Sequence, residues 1–234
     1  MSFFKQKNNV VKTDSSFTPS ERFAKVLSTV LEGEGFIFLK SKNEFVQEFE
    51  FGKRIISLHY NSTLGYIRSI QYFYKVIFTD VEKQFKKIFP DYSWADWTVH
   101  CNLMWTDSWL CDKDSGEYTD KTINKVANEF FEQIKPQIDQ LRDKFQNYQS
   151  LNTEYNKRPI DFFEYLPSGR IEKRIIIGLI LIKSFQPNQY EEYKTEYLKH
   201  FERYKGDDKE ELRFEIAQGI EYLDINNIAK FLRH

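Results

Sequence analysis

The fold is decided by residues Gly35–Phe78, which run GFIFLKSKNEFVQEFEFGKRIISLHYNSTLGYIRSIQYFYKVIF. Short runs in which apolar and polar residues alternate follow one another here, with turn residues such as Ser41–Asn43 and Gly52 between them. Alternation with a period of two is typical of strands that bury one face. In the longest run, Tyr66–Phe78, the alternation predicts one inward face, formed by Tyr66, Ile70, Tyr72, Tyr74, Val76 and Phe78. With one more strand predicted from Trp97 to Trp105, the sequence indicates an antiparallel β-meander of about five strands.

Helices are predicted on both sides of this meander. Thr18-Pro19-Ser20-Glu21 has the pattern of a capping box, which predicts the start of an N-terminal helix. After Thr119 almost every periodicity is helical, beginning with a long helix to Phe145. The apolar run Ile171–Ile182 fits a buried helix or a strand, and its flanks favour the helix. Strands followed by helices predict an α+β fold with a helical C-terminal half.

The chain organisation suggests three parts. Residues 1–17 are polar with little periodicity, which predicts a mobile tail. Residues 18–146 form the predicted sheet domain, and residues 159–234 form a helical subdomain that we expect to pack on it. The polar stretch between them is the predicted boundary. A single domain that contains both parts remains an alternative.

Composition argues against several classes of partner. The 34 Lys and Arg nearly balance 35 Asp and Glu, whereas nucleic-acid binders usually carry a basic excess. The cluster of Arg170, Lys173 and Arg174 is predicted to be a solvated helix turn. The most apolar segment, Ile175–Ile182, is much shorter than the roughly 20 residues that span a bilayer. No signal peptide is recognised at the N-terminus and no disulfide framework is indicated, so we expect a cytoplasmic protein that binds neither membrane nor nucleic acid.

Catalytic and metal-binding patterns are weak in this sequence. His100 and Cys101 are adjacent, but neighbouring residues on a strand point to opposite faces and cannot share one metal ion without distortion. The nine glycines form no phosphate-binding loop. We therefore expect no metal and no cofactor, and favour a protein that is not an enzyme. The alternative is an enzyme or small-ligand protein with an aromatic pocket that uses His59, His100 or Cys101.

Aromatic and acidic residues provide the candidate binding surface. All four tryptophans lie between Trp94 and Trp109, and these two flank the predicted fifth strand, where exposure is expected. Glu48 and Glu50 alternate onto the solvent side of the second strand. A tyrosine stripe in the C-terminal half includes Tyr193 and Tyr197, and it fits either partner binding or packing between helices. These six residues are the predicted contact residues.

The order of elements resembles that of a group of bacterial domains. A capped helix through Leu27 and Leu31 leads into Gly35 and Phe36, then into Phe45, a Tyr-rich meander, tryptophans and a long helix. Between residues 18 and 145 this layout resembles bacterial domains of unknown function, some of which are thought to be immunity proteins that bind and silence toxins. The helical part after Ser150 departs from that pattern.

The resemblance implies a non-catalytic protein that binds another protein, as an immunity or antitoxin-like factor, and it carries over no catalytic residue. Self-association through the C-terminal helices is a third alternative, in which the protein acts as a scaffold or homo-oligomer.

Overall fold

The computed structural model describes residues 10–14, 16–63, 66–93, 97–105, 110–112, 115–157, 171–228 and 232. It confirms the α+β class, with an N-terminal helix, a five-stranded antiparallel sheet and a helical C-terminal half. The elements are α1 Pro19–Leu31, β1 Ile37–Leu39, β2 Glu44–Phe49, β3 Gly52–Thr63, β4 Tyr66–Phe78, α2 Thr79–Ile88, β5 Val99–Trp105, α3 Asp120–Lys144, α4 Tyr148–Asn156, α5 Ile171–Phe185, α6 Tyr190–Phe201 and α7 Lys209–Ile225. Short 3-10 helices occupy Glu32–Glu34, Lys40–Lys42 and Pro187–Gln189.

The sheet is the predicted meander, with strand order β1-β2-β3-β4-β5. Alternate residues of β4 from Ile70 to Phe78 are buried, as their periodicity predicts. Tyr66 is the exception: it is 38% exposed, because it lies at the start of the strand. The turn into β3 requires Gly52, whose φ is 155° and where a Cβ atom would collide with the carbonyl oxygen of Ile77.

The helix ends follow local chemistry. Thr18 and Glu21 form the predicted capping box of α1, in which each side chain hydrogen-bonds the other residue's backbone N–H. Helix α2 begins at Thr79, with Phe78 at the N-cap position, so Asp80 lies in its first turn. Helix α3 contains Pro136 in its interior. The apolar run Ile171–Ile182, for which the sequence allowed a helix or a strand, is part of helix α5.

Contacts group the chain into two compact units. Unit 1 comprises Met1–Gln47, Ile55–Phe73 and Asn102–Ile138, and unit 2 comprises Glu48–Arg54, Tyr74–Cys101 and Asp139–His234. The grouping differs from the linear division at residues 147–158, part of which is helix α4. The division into a sheet domain, residues 18–146, and a helical subdomain packed on it, residues 159–234, stays a prediction.

The core of unit 1 is aromatic. The ring of Phe23 on α1 meets Tyr60 and Phe130 edge to face, with centroids 6.1 Å and 5.6 Å away. The backbone N–H of Val11 donates to Asn124 Oδ1 on α3 at 2.9 Å. Part of the predicted tail is therefore attached to α3, because its backbone hydrogen-bonds the buried amide side chain of Asn124.

The core of unit 2 is built around α5, which packs against α2, α4, α6 and α7. The helix is apolar almost all round, and Ile175–Ile182 is buried throughout. Lys173 and Arg174 are also buried, at 2% and 5% exposure, so the prediction of a solvated turn is wrong for these two residues. Among the described residues, no helix is both long and apolar enough to cross a membrane.

Candidate protein-binding surface

Helices α6 and α7 of unit 2 have ordinary inward faces. Tyr190, Tyr197 and Phe201 of α6 are buried. Helix α7 buries Leu212, Ile216, Gly219 and Leu223, whose spacing of three and four residues places them on one side of a helix. This spacing accounts for the packing of α7 against the unit and leaves its other side in solvent.

Large apolar side chains remain exposed on the solvent side of α7 and on α6. Phe214 and Ile225 of α7 are 72% and 76% exposed, and Leu198 of α6 is 38% exposed. Phe214 and Ile225 are eleven residues apart, which is three helical turns, so they lie on the same face. Phe214 and Ile225 are the most exposed large apolar residues among those described.

An open groove of about 500 Å³ lies between the two helices. Its lining consists of Leu198, Phe201, Glu202, Arg213, Ile216, Ala217, Ile220, Glu221, Asp224 and Ile225. We call this groove, together with Phe214 beside it on α7, the α6–α7 surface. It has an apolar centre and charged ends, an arrangement that resembles the core and rim of protein interfaces.

The charged ends are fixed by ion pairs. Arg213 bridges Glu202 and Glu210, with Nη2–Oε2 and Nη1–Oε1 distances of 3.0 Å and 2.6 Å. At the other end Lys194 Nζ lies 3.2 Å from Asp224 Oδ2 and 2.7 Å from Glu191 Oε2. Burial alone would lower the pKa of Lys194, but these two carboxylates outweigh it and raise that pKa. The carboxylates thus hold both basic groups in place beside the apolar centre.

A second groove, of about 550 Å³, lies between the end of α3 and helix α4. Its lining is entirely polar or charged: Gln140, Asp143, Lys144, Asn147, Gln149, Ser150, Thr153 and Glu154. Asn147 and Ser150 are engaged with each other in the capping box of α4. This groove offers no buried apolar anchor, so it is the weaker candidate.

Buried charges inside unit 2 have structural partners. Lys173 Nζ donates to Glu82 Oε2 at 2.7 Å and lies 4.9 Å from the ring centroid of Phe85. The other oxygen of Glu82 accepts from Thr98 Oγ1 at 2.8 Å. Arg174 lies over the Tyr155 ring, with Cζ 3.7 Å from its centroid. These contacts compensate the desolvation of each charge and indicate a structural network.

The predicted contact residues have different environments. Tyr197 is fully buried, and its hydroxyl donates to Asn156 Oδ1 at 2.7 Å, so it cannot contact a partner and the prediction is wrong for this residue. Tyr193 is half-buried. Glu48 and Glu50 are exposed as expected, and Glu48 forms an ion pair of 3.0 Å with Lys53. Trp94 and Trp109 lie outside the described residues.

The alternative pocket residues are found in two units. In unit 1, His59 is exposed and meets the Phe73 ring edge to face at 4.8 Å. In unit 2, His100 is half-buried and stacks on Trp97 with centroids 5.1 Å apart. Burial, together with the nearby Lys75 ammonium, lowers the pKa of His100 to about 4.

Cys101 follows His100 on β5 and is buried, so the two alternate in environment as the strand geometry predicts. Within the described ranges no group of three or more His, Cys, Asp or Glu side chains is placed to hold a metal ion.

Sequence reasoning missed Leu198, Phe214 and Ile225. The signal was present for Phe214, because it falls between Leu212 and Ile216 and therefore outside the inward positions of α7. Models of known protein families, curated proteins and solved structures were compared with this chain, and none matches.

Proposed function

We propose that this protein is a non-catalytic binding protein and that it contacts another protein through the α6–α7 surface. The observation that carries the proposal is the exposure of Phe214 and Ile225 on one face of a folded helix. A single exposed apolar residue needs no explanation, but two such residues on one helix face, one of which lines an apolar groove, make this face a candidate contact patch. Burial of this patch gains about 25 cal/mol per Å² of apolar area removed from water.

The overall charge supports a protein partner. The near balance of 34 basic and 35 acidic residues gives little general attraction for nucleic acid. Cys101 and Cys111 are free thiols, which fits the reducing cytoplasm as the compartment. An immunity-like role, in which the partner is a bacterial toxin, belongs to this proposal. The resemblance that suggested it covers residues 18–145, whereas the α6–α7 surface lies beyond that region.

Site-specific photo-crosslinking in host cells tests the proposal. A benzophenone amino acid is placed at position 214 or at position 225, and as a control at position 132, an exposed site on α3. We expect positions 214 and 225 to give one common adduct with a distinct protein, and position 132 to give none. The proposal is contradicted if no adduct forms, or if position 132 gives the same adduct with equal yield.

A further inference from the structure

We infer that the α6–α7 surface accepts an amphipathic helix with basic flanks, presented by the partner protein. The inference rests on the proposed function and adds the chemical class of the partner element. Three features carry it: the secondary structure of the surface, the spacing of its apolar residues, and the sign of its charge.

The secondary structure favours side-chain packing by a helix. Strand addition needs an unpaired backbone edge, and α6 and α7 use their backbone groups within each helix. Two packed helices leave a groove into which the side-chain ridge of a third helix fits. The α6–α7 surface therefore suits a helix better than an extended peptide.

The apolar spacing sets the length of the partner element. Phe214 and Ile225 are separated by eleven residues, or about 16 Å along the axis of α7. A partner helix that covers both needs an apolar stripe over about three turns. Apolar residues at i, i+4, i+7 and i+11 provide such a stripe.

The charge of the surface decides between partner types. The groove and its two ends carry five carboxylates, those of Glu191, Glu202, Glu210, Glu221 and Asp224, against three basic groups, those of Lys194, Lys209 and Arg213, which leaves an excess of two carboxylates. Along α7 there are five carboxylates against two basic side chains. Basic flanks would be attracted to this rim, whereas acidic flanks would be repelled.

The same charge argues against two other occupants. A second copy of this chain, docked through the same face, would bring one acidic rim against another, which is unfavourable for a symmetric dimer. An anionic membrane surface would be repelled for the same reason.

Two synthetic helical peptides test the inference. Both carry leucine at i, i+4, i+7 and i+11 and a fluorescent label, but one has lysines on its flanks and the other has glutamates. Binding to the full chain is followed by fluorescence anisotropy. We expect the lysine peptide to bind at least about tenfold more tightly, and we expect added salt to reduce this advantage because it screens exposed charges.

Three variants locate the contact. Phe214→Ala should weaken binding of the lysine peptide about tenfold or more, as loss of an aromatic anchor does. Glu221→Lys should weaken the lysine peptide and strengthen the glutamate peptide, because it reverses one rim charge. Thr153→Ala in the polar groove by α4 is the control and should change neither affinity. All three positions are exposed, so the fold should be preserved.

Four outcomes would overturn the inference. Equal binding of both peptides would contradict the inference that the partner helix has basic flanks. Binding of neither peptide would contradict the inference that the partner element is a helix. A dimer in sedimentation analysis that Phe214→Ala dissociates would identify a second copy as the occupant. Phe214-dependent binding to vesicles of phosphatidylcholine and phosphatidylserine would identify a lipid surface. In each case an adduct with a distinct protein at position 214 would leave the proposed function standing, so the two failures can be distinguished.

Discussion

Helices α5 and α7 lie in the same unit and use charged and apolar residues in opposite ways. Helix α5 buries three consecutive charged side chains, those of Glu172, Lys173 and Arg174, together with nearly all its apolar residues. Helix α7 keeps its charges in solvent but also leaves Phe214 and Ile225 exposed. Each departure costs free energy in the isolated protein, since buried charges lose solvation and exposed apolar groups order water. The difference is that α5 finds compensation inside the unit, whereas α7 has none there.

Lys173→Ala should produce the largest effect, because it leaves Glu82 as a buried charge without its ammonium partner. Loss of one member of a buried pair typically costs about 3–5 kcal/mol. The free energy of unfolding, measured by urea titration, should fall by that amount. The matched control is Lys53→Ala, which removes a pair of similar length to Glu48 whose side chains are 49% and 76% exposed.

The control should lose at most about 1 kcal/mol, since exposed ion pairs are weak. Similar losses in Lys173→Ala and Lys53→Ala would contradict the view that α5 depends on internal compensation. Replacement of both Lys173 and Glu82 by leucine should recover much of the loss, because no unpaired charge then remains.

Leu212→Ala and Phe214→Ala compare two sides of α7 directly. Leu212 is 3% exposed, and its truncation should cost about 2–5 kcal/mol in unfolding free energy. Phe214 is exposed, so its truncation should change stability by no more than about 0.5 kcal/mol while it weakens binding of the lysine peptide about tenfold or more. If Phe214→Ala destabilises the chain as much as Leu212→Ala, Phe214 is a packing residue and the α6–α7 surface loses its main anchor.

The sequence predicted the elements whose periodicity is long and regular. Strand β4 and helix α3 were found because one face of each is buried, and burial imposes a period on the residues. The capping box at Thr18 was found because its partners are three residues apart and act locally. These signals depend on neighbours in the chain, which a single sequence contains.

The sequence could not predict environments that depend on distant partners. Lys173 and Arg174 were predicted to be solvated, because nothing near them in the chain shows that Glu82 and Tyr155 lie against them. Tyr197 was predicted as a contact residue for the same reason, since its partner Asn156 is remote in sequence. The candidate surface also depends on tertiary packing, because Phe214 is identified by its exposure in the folded chain.

Gly178→Ala tests how closely α5 approaches α6. A Cβ atom at position 178 would collide with the Tyr197 hydroxyl, which is held by Asn156 and Arg174. Alanine has the better helix propensity by about 1 kcal/mol, but overpacking costs about 1–3 kcal/mol and displaced hydrogen bonds add to this.

We therefore expect a net loss of about 1–2 kcal/mol for Gly178→Ala in thermal or urea unfolding, as the balance of propensity against overpacking. Gly33→Ala, where no atom lies within 4 Å of the added carbon, is the control and should be neutral or slightly stabilising. Equal stability of the two variants would show that α5 and α6 have room to separate.

His100 sharpens the comparison, because it is an ionisable group that is only half-buried. Its pKa in the folded state, about 4, is below the ordinary value of 6.5 because burial and Lys75 disfavour the charged form. The unfolded chain therefore binds a proton more readily between these two values. The stability that neutral His100 contributes is fully present above pH 6.5 and is lost as the pH falls toward 4.

Urea titrations of the wild type and of His100→Gln from pH 7 to pH 4 should reveal this loss as a difference between the two curves. The wild type should lose stability faster than the variant, by at most about 1.4 kcal/mol per pH unit and by less where solvent screens the charge. Parallel curves would mean that His100 is as well solvated as in the unfolded chain. In that case the partial burial of an ionisable group would have no electrostatic cost. Only the complete burial of charged side chains on α5 would then distinguish that helix from α7.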